Sequence, residues 1–222
     1  MKAMILAAGR GERMRPLTDH TPKPLLQVKG RPMIEWIIQG LVGAGVRDLV
    51  INHAHLGFQI EQALGDGSGL GASIRYSAES EALETAGGIA RALPLLGNDA
   101  FIAVNGDLWC DYDFSRLAGR ELHSDLAHLV LVPNPPHHPG GDFALNGDRL
   151  ASRGDAIHMH TFAGIGLYRP DLFKDITSGH KAPLAPLLRA AMDREHVSGE
   201  LHQGVWQDVG TPERLAALNT TS

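Results

Sequence analysis

The chain has 222 residues, 43% of them hydrophobic and 20% charged, with a formal net charge of −5. That size supports one sizeable α/β domain, and the negative charge excludes a nucleic-acid surface beyond a local basic patch. A single cysteine, Cys110, excludes an internal disulfide framework, and no apolar run approaches the ~18 residues of a membrane span. The first residues lead straight into a strand without a signal-peptide pattern, so the expected compartment is the cytoplasm.

The apolar run Met4 to Ala8 reads as a buried strand. It feeds the loop Gly9-Arg10-Gly11-Glu12-Arg13-Met14, followed by Pro22-Lys23-Pro24-Leu25. Glycines let backbone N–H groups approach a phosphate, and Arg13 and Lys23 can neutralise its charge. The loop is not a dinucleotide fingerprint, because Met14 stands where a third glycine is needed, and it lacks the Gly-Lys-Ser/Thr of a P-loop. Pro32 to Ala44 has a helical apolar stripe. Asp48 to Asn52 reads as a strand, Gly57 to Leu64 as a helix and Ser73 to Ser77 as a strand. Thr85 to Leu96 reads as a helix with Thr85 as its cap, Ala100 to Val104 as a buried strand, Asp113 to Leu122 as a helix and Leu126 to Val132 as a strand.

This alternation predicts a doubly wound sheet with ligands at the strand carboxyl ends. After Pro133 the rhythm changes. Phe143–Leu145 and Arg149–Ala151 flank Asn146-Gly147-Asp148, a hairpin signal. Thr161 to Tyr168 reads as a strand, Ala185 to Glu195 as a helix and Val205 to Val209 as a strand. Thr211-Pro212-Glu213 then opens a final helix. With no linker or repeat, the expectation is one domain over residues 1–222, with a core of about 1–133 and a ligand-side subregion of about 134–210.

Two aspartates stand at strand ends. Asp107 closes Val104-Asn105-Gly106-Asp107, and Asp208 lies in Trp206-Gln207-Asp208-Val209-Gly210. A carboxylate beside a buried strand is costly unless it is paired or holds a metal. Two carboxylates suit one Mg²⁺, which completes its shell with phosphate oxygens and water. Gly87 and Gly88, at the start of the third helix, would admit a flat base or a ribose. The twelve histidines show no zinc spacing, and His137-His138, His158 and His160 read as exposed loop residues. Cys110 reads as a strand-end filler with nothing to activate it.

Taken in order and spacing, the glycine loop with Lys23, the Glu84-Thr85-Ala86-Gly87-Gly88 turn, the Asn105-Gly106-Asp107 turn and the Asp208 motif resemble the sugar-1-phosphate nucleotidylyltransferases over essentially the whole chain. The resemblance implies a Rossmann-like mixed, mostly parallel sheet sandwiched by helices. It implies catalytic roles for Arg13, Lys23, Asp107 and Asp208, with Mg²⁺ held by the two aspartates. Nucleotide contacts would come from Ala8, Gly9, Gly11, Glu12, Arg13, Lys23, Glu79, Thr85 and Gly88. Sugar contacts would come from Asn105, Gly140, Gly141, Asp142 and Gly164. Many members have Gly in place of Glu84, and many have a Glu-Lys-Pro segment where this chain has Ser152 to His160. Members with an added acyltransferase domain are far longer, so a bifunctional enzyme is not expected.

The short length and the Thr161–Tyr168 strand are most similar to the branch that couples UTP to N-acetylmuramate 1-phosphate in cell-wall recycling. Arg153, His158 and His160 are its candidates to meet the lactyl carboxylate. The alternatives are a mannose-1-phosphate guanylyltransferase, a glucose-1-phosphate thymidylyltransferase, or a non-catalytic nucleotide-sugar sensor. The four charged residues retained together weigh against the sensor.

Overall fold

The computed structural model describes residues 1–152 and 159–220. Arg153 and His158 therefore lie outside the described residues. In chain order the elements are β1 (Lys2–Leu6), β2 (Gln27–Val28), β3 (Arg31–Pro32), α1 (Met33–Gly43), β4 (Asp48–His53), α2 (Gly57–Leu64), β5 (Ser73–Ala78), α3 (Glu84–Leu96), β6 (Phe101–Asn105), β7 (Leu108–Cys110) and α4 (Ser115–Ala118). They continue as β8 (Ala127–Val132), β9 (Phe143–Asn146), β10 (Arg149–Ala151), β11 (Met159–Tyr168), α5 (Leu184–Met192), β12 (Val197–Leu201), β13 (Trp206–Asp208) and α6 (Pro212–Thr220).

Nine strands form one sheet in the order β5-β4-β1-β6-β11-β8-β12-β10-β9. Within it, β5, β4, β1 and β6 pair in parallel, as do β8 and β12. β11 runs antiparallel to both β6 and β8, and β10 runs antiparallel to β12 and β9. The sheet is thus mixed, with only β10 and β11 opposing the common direction.

The central strands bury both faces, which is why they read as unbroken apolar runs. In β1, Ala3 and Ile5 belong to the apolar cluster that holds α1 and α2, whereas Met4 belongs to the opposite cluster, with Ile89 of α3 and Leu188 of α5. The hairpin around Gly147 forms as its sequence requires, with a left-handed φ of +63° at the glycine.

A third, smaller apolar cluster lies at one end. Met14 and Met33 pack there with Leu26, Val28, Val209, Leu215 and Leu218. Met14 is fully buried, a contribution of about 1.5–3 kcal/mol from its side chain. The residue that breaks the dinucleotide pattern is thus the pin that holds the glycine loop against α6.

Two local expectations are corrected. The helix expected over Asp113–Leu122 is only the single turn α4, which begins where the Ser115 amide donates to Asp113 Oδ1 and ends at Gly119. α3 begins at Glu84 behind Leu83, with no side-chain cap, so Thr85 lies inside the helix. The amides of Ala86 and Gly87 instead donate to the carbonyl of Ala182, at 3.0 and 3.1 Å. Strands β7 and β12 carry no separate signal and emerge only from their pairing.

Candidate active site

The carboxyl ends of β1 and β6 open into a cleft of about 550 Å³. Leu6 to Met14, Lys23, Pro24, Asn52, Ala82, Glu84, Thr85, Asn105, Gly106, Asp107 and Gly210 line it. The sequence-predicted residues Ala8, Gly9, Gly11, Glu12, Arg13, Lys23, Thr85, Asn105 and Asp107 therefore share one concavity.

The glycine loop owes its shape to contacts at Gly11. Its φ is +65°, and a Cβ there would fall 2.9 Å from Thr18 Cγ2 and 3.2 Å from Lys23 Cβ. The Thr18 hydroxyl donates to the Gly11 carbonyl at 2.8 Å, which fastens the loop to the turn behind it. Gly9 has open space around its Cα, so its backbone is accessible to a ligand.

Lys23 sits between two prolines at the start of a single 3-10 turn. Its ammonium donates to Asp107 Oδ2 across the cleft. The Lys23 side chain is 11% exposed and that of Asp107 31%, so the pair is sheltered yet reachable. Gly106 allows this turn, because a Cβ would meet the Leu6 carbonyl at 2.9 Å.

Asp208 arrives through the β13–β7 ladder, where it stands opposite Leu108. The next amide, Val209, donates to the Asp107 carbonyl at 2.9 Å, so the two aspartates are backbone neighbours. Arg214, in the first turn of α6, donates to Asp208 Oδ2 at 2.6 Å. His137 Nε2 lies 3.0 Å from Asp208 Oδ1, yet that buried oxygen has no aligned hydrogen bond. Gly210 keeps the corner open, since a side chain there would meet Arg214, Asp208 and Arg13.

A hard divalent cation fits these residues. The donor set is two carboxylates, and Asp208 Oδ1 is a buried acceptor with an unused lone pair. Among the described residues no group of three or more His, Cys, Asp or Glu is placed to hold a metal as a protein cage. The remaining positions would thus fall to ligand oxygens and water, as magnesium prefers.

Five residues expected at the site, Glu79, Gly87, Gly88, Gly141 and Asp142, have partners within the chain. Glu79 is buried behind the wall, accepting from Asn52 Nδ2 at 2.7 Å and from the Leu83 amide at 2.9 Å. A Cβ on Gly88 would strike that same Asn52–Glu79 pair at 2.8 Å, and one on Gly87 would strike the His180 carbonyl at 2.3 Å. Both glycines therefore make room for this chain's own groups. Asp142 uses both oxygens within the chain: Oδ2 accepts from the Phe162 amide at 2.8 Å, and Oδ1 lies 3.1 Å from His138 Nε2. Gly141 has a left-handed φ of +62° and presses on the backbone of Met159 and His160. Gly140 has open space around it and is not among the residues lining the cleft.

Gly164 does support the cleft. It lies in a register break of β11, with φ +73°, and a Cβ there would fall 2.4 Å from Asn105 Nδ2. The bulge thus makes room for the Asn105 side chain.

Sequence reasoning missed three residues. Asn52 accepts from the Ala7 amide at 2.9 Å and lines the cleft, but a strand-end asparagine gives no cue by itself. Arg214 stands in the first turn after Thr211-Pro212, a position that could have flagged it. His137 was expected to be an exposed loop residue; it is 38% exposed but reaches Asp208. His160 is half-buried in β11. Cys110 ends β7, and burial pushes its thiol pKa up, the opposite of activation. No helix among the described residues is long and apolar enough to cross a membrane.

The architecture and cleft are those of a nucleotide-transferring enzyme, and comparison with known proteins agrees. Residues 2–143 match the model of the nucleotidyl transferase family, and the chain belongs to that family. It is 55% identical to an N-acetylmuramate alpha-1-phosphate uridylyltransferase of Neisseria meningitidis serogroup B, over 97% of this chain and 95% of the relative. It is 33% identical to a protein of the same name from Caulobacter vibrioides, over 97% and 94% of the two chains. A mannose-1-phosphate guanylyltransferase of Mycobacterium tuberculosis is 29% identical over 95% of this chain, which spans 61% of that protein. The fold is shared with a structure from Bacillus anthracis assigned as a glucose-1-phosphate thymidylyltransferase and solved with sucrose. Its TM-score is 0.86 at 23% identity, covering 99% of this chain and 94% of the other.

Proposed function

We propose that the protein transfers the uridylyl group of UTP to N-acetylmuramate α-1-phosphate, giving the UDP-sugar and pyrophosphate. The observation that carries this substrate pair is the 55% identity to the Neisseria relative across 97% of the chain. The cleft supports the reaction class, because it gathers an open glycine backbone, Arg13, Lys23 and Asp107 in one concavity, with Asp208 tied to its edge through the Val209 amide on the Asp107 carbonyl.

The sugar-phosphate oxygen would attack the α-phosphorus while pyrophosphate departs on the opposite side. That oxygen is already ionised, so the protein needs no general base; positioning and charge neutralisation dominate. The Gly9–Arg13 backbone would hold the triphosphate and Arg13 the departing pyrophosphate. Lys23, held on Asp107 in the free protein, would swing its ammonium from that carboxylate to the arriving phosphate. Asn105, supported by Gly164, would face the sugar. Asp107 and Asp208 would hold Mg²⁺, which supplies charge neutralisation at the phosphates when bound. In this reading residues 1–133 form the nucleotide side, residues 134–210 border the sugar, and the enzyme works in the cytoplasm.

Pyrophosphate release from UTP on addition of N-acetylmuramate α-1-phosphate tests the proposal. Release that needs both substrates and a divalent cation supports it. UTP binding without release would instead make the protein a sensor.

A further inference from the structure

We propose that His137 is a positioning residue for Asp208, making the geometry of that carboxylate depend on the loop 133–142 that borders the sugar side. The inference rests on the reading above that Asp208 is a metal ligand.

The loop is braced rather than loose. Four prolines, Pro133, Pro135, Pro136 and Pro139, restrict its backbone. Asn134 Nδ2 donates to the carbonyls of Pro139 and Met159 at 3.0 and 2.9 Å, and Asn134 Oδ1 accepts from the Thr161 hydroxyl at 2.9 Å. Asp142 takes the Phe162 amide, at the β11 register break. These contacts tie the loop to β11. His138 turns toward Asp142, in the same direction. His137, its chain neighbour, meets Asp208 Oδ1 instead, at 3.0 Å.

Asp208 is therefore held from two separate elements, Arg214 on Oδ2 and His137 on Oδ1. Two points of contact fix the rotation of a carboxylate about its own bond. The His137 contact is not aligned as a hydrogen bond, so it sets the carboxylate's attitude without consuming the lone pair that a cation would use. Outer partners of this kind change metal affinity by about 10- to 100-fold when removed.

The test is a Mn²⁺ titration of the full chain by water-proton relaxation, with steady-state kinetics on the same samples. The variants are Asp208→Asn, His137→Ala, His137→Gln and His138→Ala. Asp208→Asn should lose the Mn²⁺ site. His137→Ala should weaken Mn²⁺ binding about tenfold and lower kcat, with KM for UTP changed by less than about twofold. His137→Gln, which keeps a polar group of similar reach beside Oδ1, should recover most of both losses. His138→Ala should leave Mn²⁺ affinity unchanged, because that side chain braces only the loop.

Unchanged Mn²⁺ affinity in His137→Ala would overturn the proposal. So would a glutamine variant no better than the alanine, or an equal loss in His138→Ala, which would mean loop packing alone. Wild-type Mn²⁺ affinity in Asp208→Asn would remove the metal-ligand reading of Asp208, and the proposal with it.

Discussion

Lys23 and Asp107, 84 residues apart in sequence, form a direct ion pair across the mouth of the cleft. The pair joins the glycine loop to the end of β6 and keeps both charges sheltered; in the proposed reaction a phosphate would replace the carboxylate as the partner of Lys23. We expect Lys23→Ala to lose far more rate than Lys29→Ala, whose ammonium lies over the Trp109 ring 5.2 Å from its centroid. The Lys23 defect should appear in the apparent affinity for the sugar phosphate as well as in turnover. Steady-state kinetics with each substrate varied in turn measures both; equal, small effects would return Lys23 to ordinary surface charge.

The two aspartates carry the second prediction. Asp107→Asn and Asp208→Asn should each reduce turnover at least about a hundredfold, or roughly 2.7 kcal/mol of transition-state stabilisation. Circular dichroism should show both variants folded. Near wild-type turnover in either would remove that residue from the reacting centre.

Arg13 supplies the third. It is exposed on the loop, with Nη2 close to the corner kept open by Gly210. Arg13→Ala should weaken UTP binding and slow turnover, because a charge-assisted contact is lost. Calorimetry with UTP reads the binding arm, and unchanged affinity together with unchanged rate would place Arg13 outside the site.

Much of this was legible in the sequence, because the informative residues are either consecutive or at strand ends. The glycine loop, Lys23 between its prolines and the two aspartates could be found where hydrophobic runs stop. The mixed sheet could not be derived from periodicity, since β11 is equally apolar whether it runs with its neighbours or against them. Gly87, Gly88 and Asp142 are ambiguous in sequence for a related reason. A glycine shows that something approaches closely, but not whether it is a ligand or, as at Gly87, the His180 carbonyl. His137 was invisible because its partner lies 71 positions away on another element and no short motif links the two.

Gly164 provides a structural prediction. Its left-handed φ of +73° and the 2.4 Å approach of Asn105 Nδ2 leave no room for a methyl group. Gly164→Ala should cost about 1–3 kcal/mol of stability and displace Asn105. Chemical denaturation would read the first effect and KM for the sugar phosphate the second. Wild-type values for both would mean that the bulge does not position Asn105.

Away from the cleft, Glu200 predicts a pH dependence. The His128 ring beside it, with donors from Tyr112 and Arg116, holds its carboxyl well down from the usual 4.5, at about 2. The folded value is depressed, so the contribution to stability is present above about pH 4.5 and is lost as pH falls toward 2. Glu200→Gln should flatten that part of the stability profile, measured by urea unfolding between these limits. An unchanged acid limb would show that other carboxylates dominate it.

The account stands most directly on which nucleotide and which sugar phosphate the cleft joins. The decisive measurement is kcat/KM for pyrophosphate release across UTP, GTP, dTTP and CTP, each paired with the 1-phosphates of N-acetylmuramate, mannose and glucose. The account predicts that UTP with N-acetylmuramate α-1-phosphate exceeds every other pair. A higher value for GTP with mannose 1-phosphate, or for dTTP with glucose 1-phosphate, would contradict it.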